Sequence, residues 1–179
     1  MTAEEAKRAN DDTFHWTNCA PQHEIFNQSR LADRRGLLLW GNLENAVARL
    51  APSFGQRLSV LNGPLFSDSD RPYRQDFLGP AEFWKLILVK DGQGRPRALA
   101  FRLCQAPQIV DLPRERFLPD EVAPYQPFQI AVADLAALTG LDLASYAAWD
   151  PLAPGSDARE ALGLGSGARR IASERDLVI

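Results

Sequence analysis

The sequence predicts an α+β domain with an antiparallel sheet flanked by helices. Three observations predict it. Apolar residues recur at helical spacing over 37–50. Two β-rich runs flank Asp91-Gly92-Gln93-Gly94, which is a hairpin pattern. Residues 128–131 read as a short strand, followed by a helix over 132–138 stopped by Gly140. A chain of 179 residues with 45% apolar composition suits one domain or a little more, with enough apolar material for a core.

The elements follow in order. Residues 2–10 read as a helix, because Thr2 can cap it and Glu5 stands three positions on, the spacing of a capping box. Residues 11–23 are polar with aromatics interleaved and read as an ordered loop. Helical character resumes near Pro21, a residue suited to a first helical position, and runs through Phe26, Asn27 and Leu31. Across 37–50, Leu39, Trp40, Leu43, Val47 and Leu50 share one face, with Glu44 at its edge. Residues 57–62 read as a strand ending at Gly63-Pro64, and 67–80 as a long loop. Residues 83–90 and 97–103 form the hairpin, and 105–127 read mostly as loop. Residues 132–138 form the last helix. From about 144 the chain is rich in Ala, Gly, Ser and Pro.

Composition constrains function only loosely. With 20 basic and 23 acidic residues the formal net charge is -3, so a phosphate-binding surface would have to be a local patch. Arg30, Arg34 and Arg35 form the clearest such cluster; Asp33 sits inside it, and an ordinary solvated face would look the same. Cys19 and Cys104 are the only cysteines, too far apart in sequence for a cysteine zinc site, and either a disulfide or two buried thiols fits them. The first residues carry no apolar signal-peptide core, and no run reaches transmembrane length. The chain therefore reads as soluble, with no membrane partner and no targeting signal of its own.

The densest chemistry lies in Asp12-Thr13-Phe14-His15-Trp16-Thr17-Asn18-Cys19-Ala20-Pro21-Gln22, followed by Phe26-Asn27-Gln28, and in Trp40-Gly41-Asn42-Leu43-Glu44. These stretches resemble the active-site region of DNA/RNA non-specific endonucleases, the ββα-metal sugar-non-specific nucleases. Weaker echoes follow in the family's order at Leu61-Asn62-Gly63-Pro64-Leu65-Phe66, Pro80-Ala81-Glu82-Phe83-Trp84-Lys85 and Asp134 to Leu141. The resemblance spans roughly residues 3–141. It implies a ββα-metal fold at 1–143, incomplete at its N-terminal side, and an extension at 144–179 that is expected to be partly mobile.

The resemblance also implies a site. Asn27 matches the Asn that binds a single Mg²⁺, for which Mn²⁺ can substitute; an amide oxygen is a hard, neutral ligand suited to that ion. Glu44 matches the Glu that holds the metal through water. The Asn27-to-Glu44 gap is wider than in compact members, with Arg34-Arg35-Gly36 inside it. Asn18 matches an Asn that shapes the site, and Gln22, Thr13 and Thr17 read as ties within the loop. Taken alone, Asn27 and Glu44 would read as a surface amide and a solvated carboxylate. The family's Asp-Arg-Gly-His run, whose His is the general base, has no match here; His15 and His23 lie in no such run.

The implied activity is Mg²⁺-dependent hydrolysis of DNA and RNA, read by the phosphate backbone and leaving 5′ phosphates. An upstream segment carrying the base would be supplied separately, or the chain is a truncated product. The family is often exported, which leaves the compartment open. The competing class is an inactive nuclease remnant that binds nucleic acid or protein.

Overall fold

A computed structural model describes residues 2–12, 19–22, 27, 41, 43, 45–46, 58–68, 70–73, 77–105, 127–156, 168–171 and 174–179. The first helix, α1 (Ala3–Asp11), starts as its sequence predicts. The Thr2 N–H donates to the Glu5 carboxylate at 2.6 Å, and the Glu5 N–H donates to Thr2 Oγ1 at 3.2 Å. This reciprocal pair satisfies donors that the helix itself leaves without partners. Glu4 and Arg8 add an ion pair at 2.8 Å, but both are solvent-exposed, so it contributes little.

The scaffold is a five-stranded antiparallel sheet. Its strands are β1 (Ser59–Leu65), β4 (Glu82–Lys90), β5 (Pro96–Cys104), β6 (Phe128–Ile130) and β7 (Arg169–Arg170), in that spatial order. Among the described residues, two further strands, β2 (Arg71–Tyr73) and β3 (Phe77–Gly79), pair with each other and not with the sheet.

Two expectations are corrected here. The first strand does not stop at Gly63-Pro64 but runs through both to Leu65. It stands at the end of the strand order, an edge position, where proline is tolerated within a sheet. Gly63 faces Trp84, and a Cβ at Gly63 would come within 3.0 Å of the indole Nε1. The glycine therefore marks a close approach of side chain to backbone rather than a chain reversal. The second correction is that 67–80 contains the β2–β3 pair. The buried Asp70 carboxylate organises its entry, accepting the Ser67 N–H at 2.9 Å and the Ala81 N–H at 2.9 Å. One acidic side chain thus ties the start of this excursion to its end.

The β4–β5 hairpin is as expected, with nine-residue strands in register from Glu82 opposite Cys104 to Lys90 opposite Pro96. Asp91 sets its turn. Its carboxylate accepts the N–H groups of Gln93 (2.9 Å) and Arg95 (3.0 Å), and the guanidinium groups of Arg95 (2.8 Å) and Arg97 (3.2 Å). Burial favours the protonated acid, but these donors and the Arg95 charge outweigh it. The pKa is held at about 2, below the ordinary 3.8.

Strand alternation divides the core into two layers. Phe83, Ile87 and Val89 of β4 face the same side as Leu99, Phe101 and Leu103 of β5. That layer is closed by Leu43, Ala46 and Ile171, with Ala20, Leu58, Leu177 and Ile179 packed against it. On the other side, Leu86, Ala98, Ala100 and Ile130 pack against Val132, Leu135 and Leu143. Those three residues belong to α2 (Val132–Thr139) and the segment leading to α3 (Ala144–Ala147). Gly140 stops α2 as expected, with a left-handed φ of 70° and its N–H donated to the Ala136 carbonyl at 2.9 Å. The protein is therefore an α+β fold, an antiparallel sheet with helical residues on both faces.

The C-terminal residues reach the sheet through Gln129. Its carboxamide donates to the Val178 carbonyl at 2.8 Å and accepts the Val178 N–H at 3.0 Å. A side chain thereby pairs with the chain as a neighbouring strand would. No helix among the described residues is long and apolar enough to cross a membrane.

Candidate functional site

In and beside the motif stretches, Leu43, Ala46 and Ala20 are placed on one face of the sheet, in the layer of Phe83 and Phe101. Gly41, Leu43, Asn45 and Ala46 are helical. Leu43 is fully buried and Ala46 nearly so, while Asn45 is exposed. Of the apolar face expected across 37–50, Leu43 is described, and it packs on the sheet; Leu39, Trp40, Val47 and Leu50 lie outside the described residues. The shared burial of Leu43 and Ala46 follows from the sequence, since they are three positions apart and lie on one helical face.

Residues 19–22, within the loop expected over 11–23, reach the same layer. Ala20 packs on the core formed by Leu43, Phe83 and Phe101, and Pro21 and Gln22 are half-buried. Pro21 is held by its backbone. Gln105, just beyond the end of β5, is buried, and its Nε2 donates to the Pro21 carbonyl at 3.2 Å and to the Pro80 carbonyl at 2.7 Å. The Gln105 N–H also donates to the Ala81 carbonyl at 2.7 Å. The three contacts join the motif loop, the entry to β4 and the exit from β5 at one point.

Asn27 is helical and exposed. Its carboxamide thus stands on a regular backbone six positions beyond the anchored Pro21. Asn18, Arg30, Arg34, Arg35 and Glu44 lie outside the described residues, as do Thr13, Thr17, His15, His23 and Trp40. Cys19 is exposed.

Among the described residues, no group of three or more His, Cys, Asp or Glu side chains is placed to hold a metal ion. The site implied by the motif is of another kind. It rests on one neutral amide, with a carboxylate acting through water, and such a site needs no acidic cluster. An exposed Asn on a helix fits that donor chemistry: it offers a hard oxygen and leaves room for the waters that Mg²⁺ retains.

Two polar residues on this face escaped the sequence reading as candidates. Lys85 is fully buried on β4 opposite Phe101, and Gln105 is 1% exposed. Both break an apolar alternation. Phe83, Ile87 and Val89 surround Lys85 in the period of the strand, and Gln105 continues the series Leu99, Phe101, Leu103. A polar residue where the period demands an apolar one was the signal available. Buried ammonium and amide groups persist only with partners, so both positions mark places where the sheet is tied to something polar.

Comparison with known proteins agrees with the motif. Residues 2–149 match the DNA/RNA non-specific endonuclease family. An uncharacterized protein, y4fB, of Sinorhizobium fredii is 39% identical over 138 residues, covering 76% of this chain and 20% of that protein. Mitochondrial endonuclease G of Homo sapiens is 29% identical over 124 residues, covering 63% of this chain and 38% of that protein. The Bos taurus endonuclease G is 27% identical over the same length. The chain thus spans between one fifth and two fifths of these relatives. No solved structure matches it. With the motif order, the antiparallel sheet and a family match over residues 2–149 all in agreement, the chain belongs to the DNA/RNA non-specific endonuclease family.

Proposed function

We propose that this chain is the metal-bearing portion of a Mg²⁺-dependent phosphodiester hydrolase acting on DNA and RNA without sequence specificity. The observation that supports the reading is Asn27: the motif order in the sequence likens it to the family's metal-binding Asn, and the residue is helical and exposed. Asn27 would hold the ion directly and Glu44 through water. Bound there, the ion would supply positive charge to the scissile phosphoryl group and the leaving oxygen.

The chain's own residues have three tasks. Asn18 and Gln22 shape the loop and the start of the motif helix. Arg30, Arg34 and Arg35 bind flanking phosphates, fixing the position of the strand without reading its bases. Asn27, exposed to solvent, would offer its carboxamide oxygen to the ion where a phosphate can also reach it. The general base is not among these residues. The reading assigns it to an Asp-Arg-Gly-His run on polypeptide outside this sequence.

The test is degradation of plasmid DNA and of RNA with and without EDTA. The 179-residue chain alone should be a very poor nuclease, because general-base assistance is worth about 10²–10⁴-fold. A segment bearing Asp-Arg-Gly-His, fused or supplied in trans, should restore EDTA-sensitive cleavage of both substrates. Asn27→Ala in the restored protein should remove most of the gain. A restored protein that folds, binds Mn²⁺ and cuts neither substrate would overturn the reading.

A second reading has a specific observation behind it. No Asp-Arg-Gly-His run occurs in the sequence, and the net charge is -3. A non-catalytic module of nuclease ancestry that binds nucleic acid or protein would show both. Cleavage by the restored protein separates the two readings.

A further inference from the structure

The geometry points to Gln105 as the positioning residue of the candidate site: its amide fixes Pro21, six positions before Asn27, against the entry to β4. The inference rests on the reading of Asn27 as the metal ligand. Gln105 takes no part in binding metal or phosphate itself, and nothing in the motif names it.

Four observations carry it. Gln105 is 1% exposed, so its amide is cut off from water and its hydrogen bonds are with protein. A primary amide nitrogen carries two hydrogens, and Nε2 donates to two carbonyls, Pro21 O at 3.2 Å and Pro80 O at 2.7 Å. These two carbonyls belong to segments far apart in sequence: the motif loop, and the turn that enters β4. Finally, the Gln105 N–H donates to the Ala81 carbonyl at 2.7 Å, so the clamp is itself held by the sheet and cannot swing with the loop.

The chemistry explains why this residue type stands here. Both partners are carbonyl oxygens, so the clamp must donate twice from one atom. A carboxylate has no donor and would place negative charge against two oxygens. A hydroxyl has one hydrogen and too short a reach. Pro21 has no N–H of its own, so its carbonyl is the one backbone hydrogen-bonding group by which this residue can be held. Six positions later the same chain presents Asn27. A single-amide metal site has no second direct protein ligand to correct its geometry, so its affinity depends on where the chain leading to it is held.

The test uses the full chain and three variants: Gln105→Met, Gln105→Glu and Leu135→Ala. Methionine keeps the length without the donors. Leu135 lies in the opposite core layer and serves as a control that loses stability without touching the loop. Two quantities are read: Mn²⁺ affinity by paramagnetic relaxation, and hydrogen exchange of the amides in 19–27. Gln105→Met should weaken Mn²⁺ binding about tenfold, the low end of what lost outer supports cost a metal site. It should also speed exchange in 19–27, while Leu135→Ala leaves both near wild type in the folded protein. Gln105→Glu should resemble Gln105→Met where its carboxyl is ionised, and its exchange in 19–27, compared with wild type at each pH, should recover in part as acid restores one donor to the buried carboxyl.

If Gln105→Met does not fold, the pH-dependent recovery in Gln105→Glu carries the test. Unchanged Mn²⁺ affinity in a folded Gln105→Met, or a pH-independent Gln105→Glu, overturns the inference. Failure of the underlying reading looks different: wild type and Asn27→Ala would then bind Mn²⁺ equally.

Discussion

The Asp150 carboxylate accepts the Val132 N–H at 2.8 Å, capping α2 from a position eighteen residues further along the chain. Ala131, which occupies the local cap position, offers no side-chain hydrogen bond. Asp150 also accepts the Leu152 N–H at 2.8 Å. A buried carboxylate thus serves the orphan donor of one helix and the backbone of the segment that covers it. The same segment returns to the sheet, where the Ala98 N–H donates to the Trp149 carbonyl at 2.9 Å.

This linkage predicts that Asp150→Ala destabilises the protein although Asp150 is far from the candidate site. Two buried N–H groups would lose their charged acceptor, a loss of about 1–3 kcal/mol. Urea denaturation of wild type and variant measures it. An unchanged midpoint would mean that water or another acceptor replaces the carboxylate.

Leu43 tests the placement of the second motif helix. It is fully buried against Phe83, Ile87 and Phe101. Leu43→Ala should cost about 2–5 kcal/mol in the same assay, through lost transfer energy and the cavity left behind. If stability does not change, the helix is not seated on this face, and the position assigned to Glu44 in the next residue falls with it.

How much of this was legible in the sequence depended on how local each cause is. The α1 capping box, the β4–β5 hairpin and the Gly140 stop are each written within a few residues, and all three stand as read. The edge position of β1 is not local. Nothing near Pro64 reveals that the strand has β4 as its neighbour at the end of the sheet, so Gly63-Pro64 reads as a terminus. The β2–β3 pair depends on Asp70 reaching Ala81 across the excursion, which no periodicity announces. At the candidate site the motif named Asn27, because ligand chemistry selects residue types. It did not name Gln105, whose role lies in joining segments that only the fold brings together.

Acid should reveal the hairpin turn. The folded-state pKa of Asp91 is depressed to about 2 from 3.8. Its ionised form therefore contributes stability that is fully present above the unfolded value and is lost as pH falls through the folded one. The stability difference between wild type and Asp91→Asn should be constant from neutral pH down to about 5, then shrink between about pH 4 and pH 2. Denaturation midpoints across that range measure it. A difference that persists unchanged at pH 2 would assign the turn's stability to shape rather than charge.

The last prediction concerns the arginines. In a chain of net charge -3, binding to a nucleic-acid backbone has to be local, and Arg30, Arg34 and Arg35 form the clearest basic cluster in the sequence. Each phosphate neutralised by such a cluster releases a counterion, so the logarithm of the binding constant falls with the logarithm of salt by about 0.9 per contact on duplex DNA and about 0.7 on single strands. Binding of a fluorescent duplex and a single-stranded RNA, measured across a salt series, should therefore lose about one unit of slope in Arg34→Ala. The weakening should be uniform across unrelated sequences, since phosphate contacts carry no base information. Arg95, more than half exposed beside the hairpin turn, is the control: Arg95→Ala removes the same charge from a surface tied to Asp91 and should leave the slope unchanged. Equal losses for Arg34→Ala and Arg95→Ala would mean that only net charge matters, and the cluster near Asn27 would have no claim to be the place where the backbone is held.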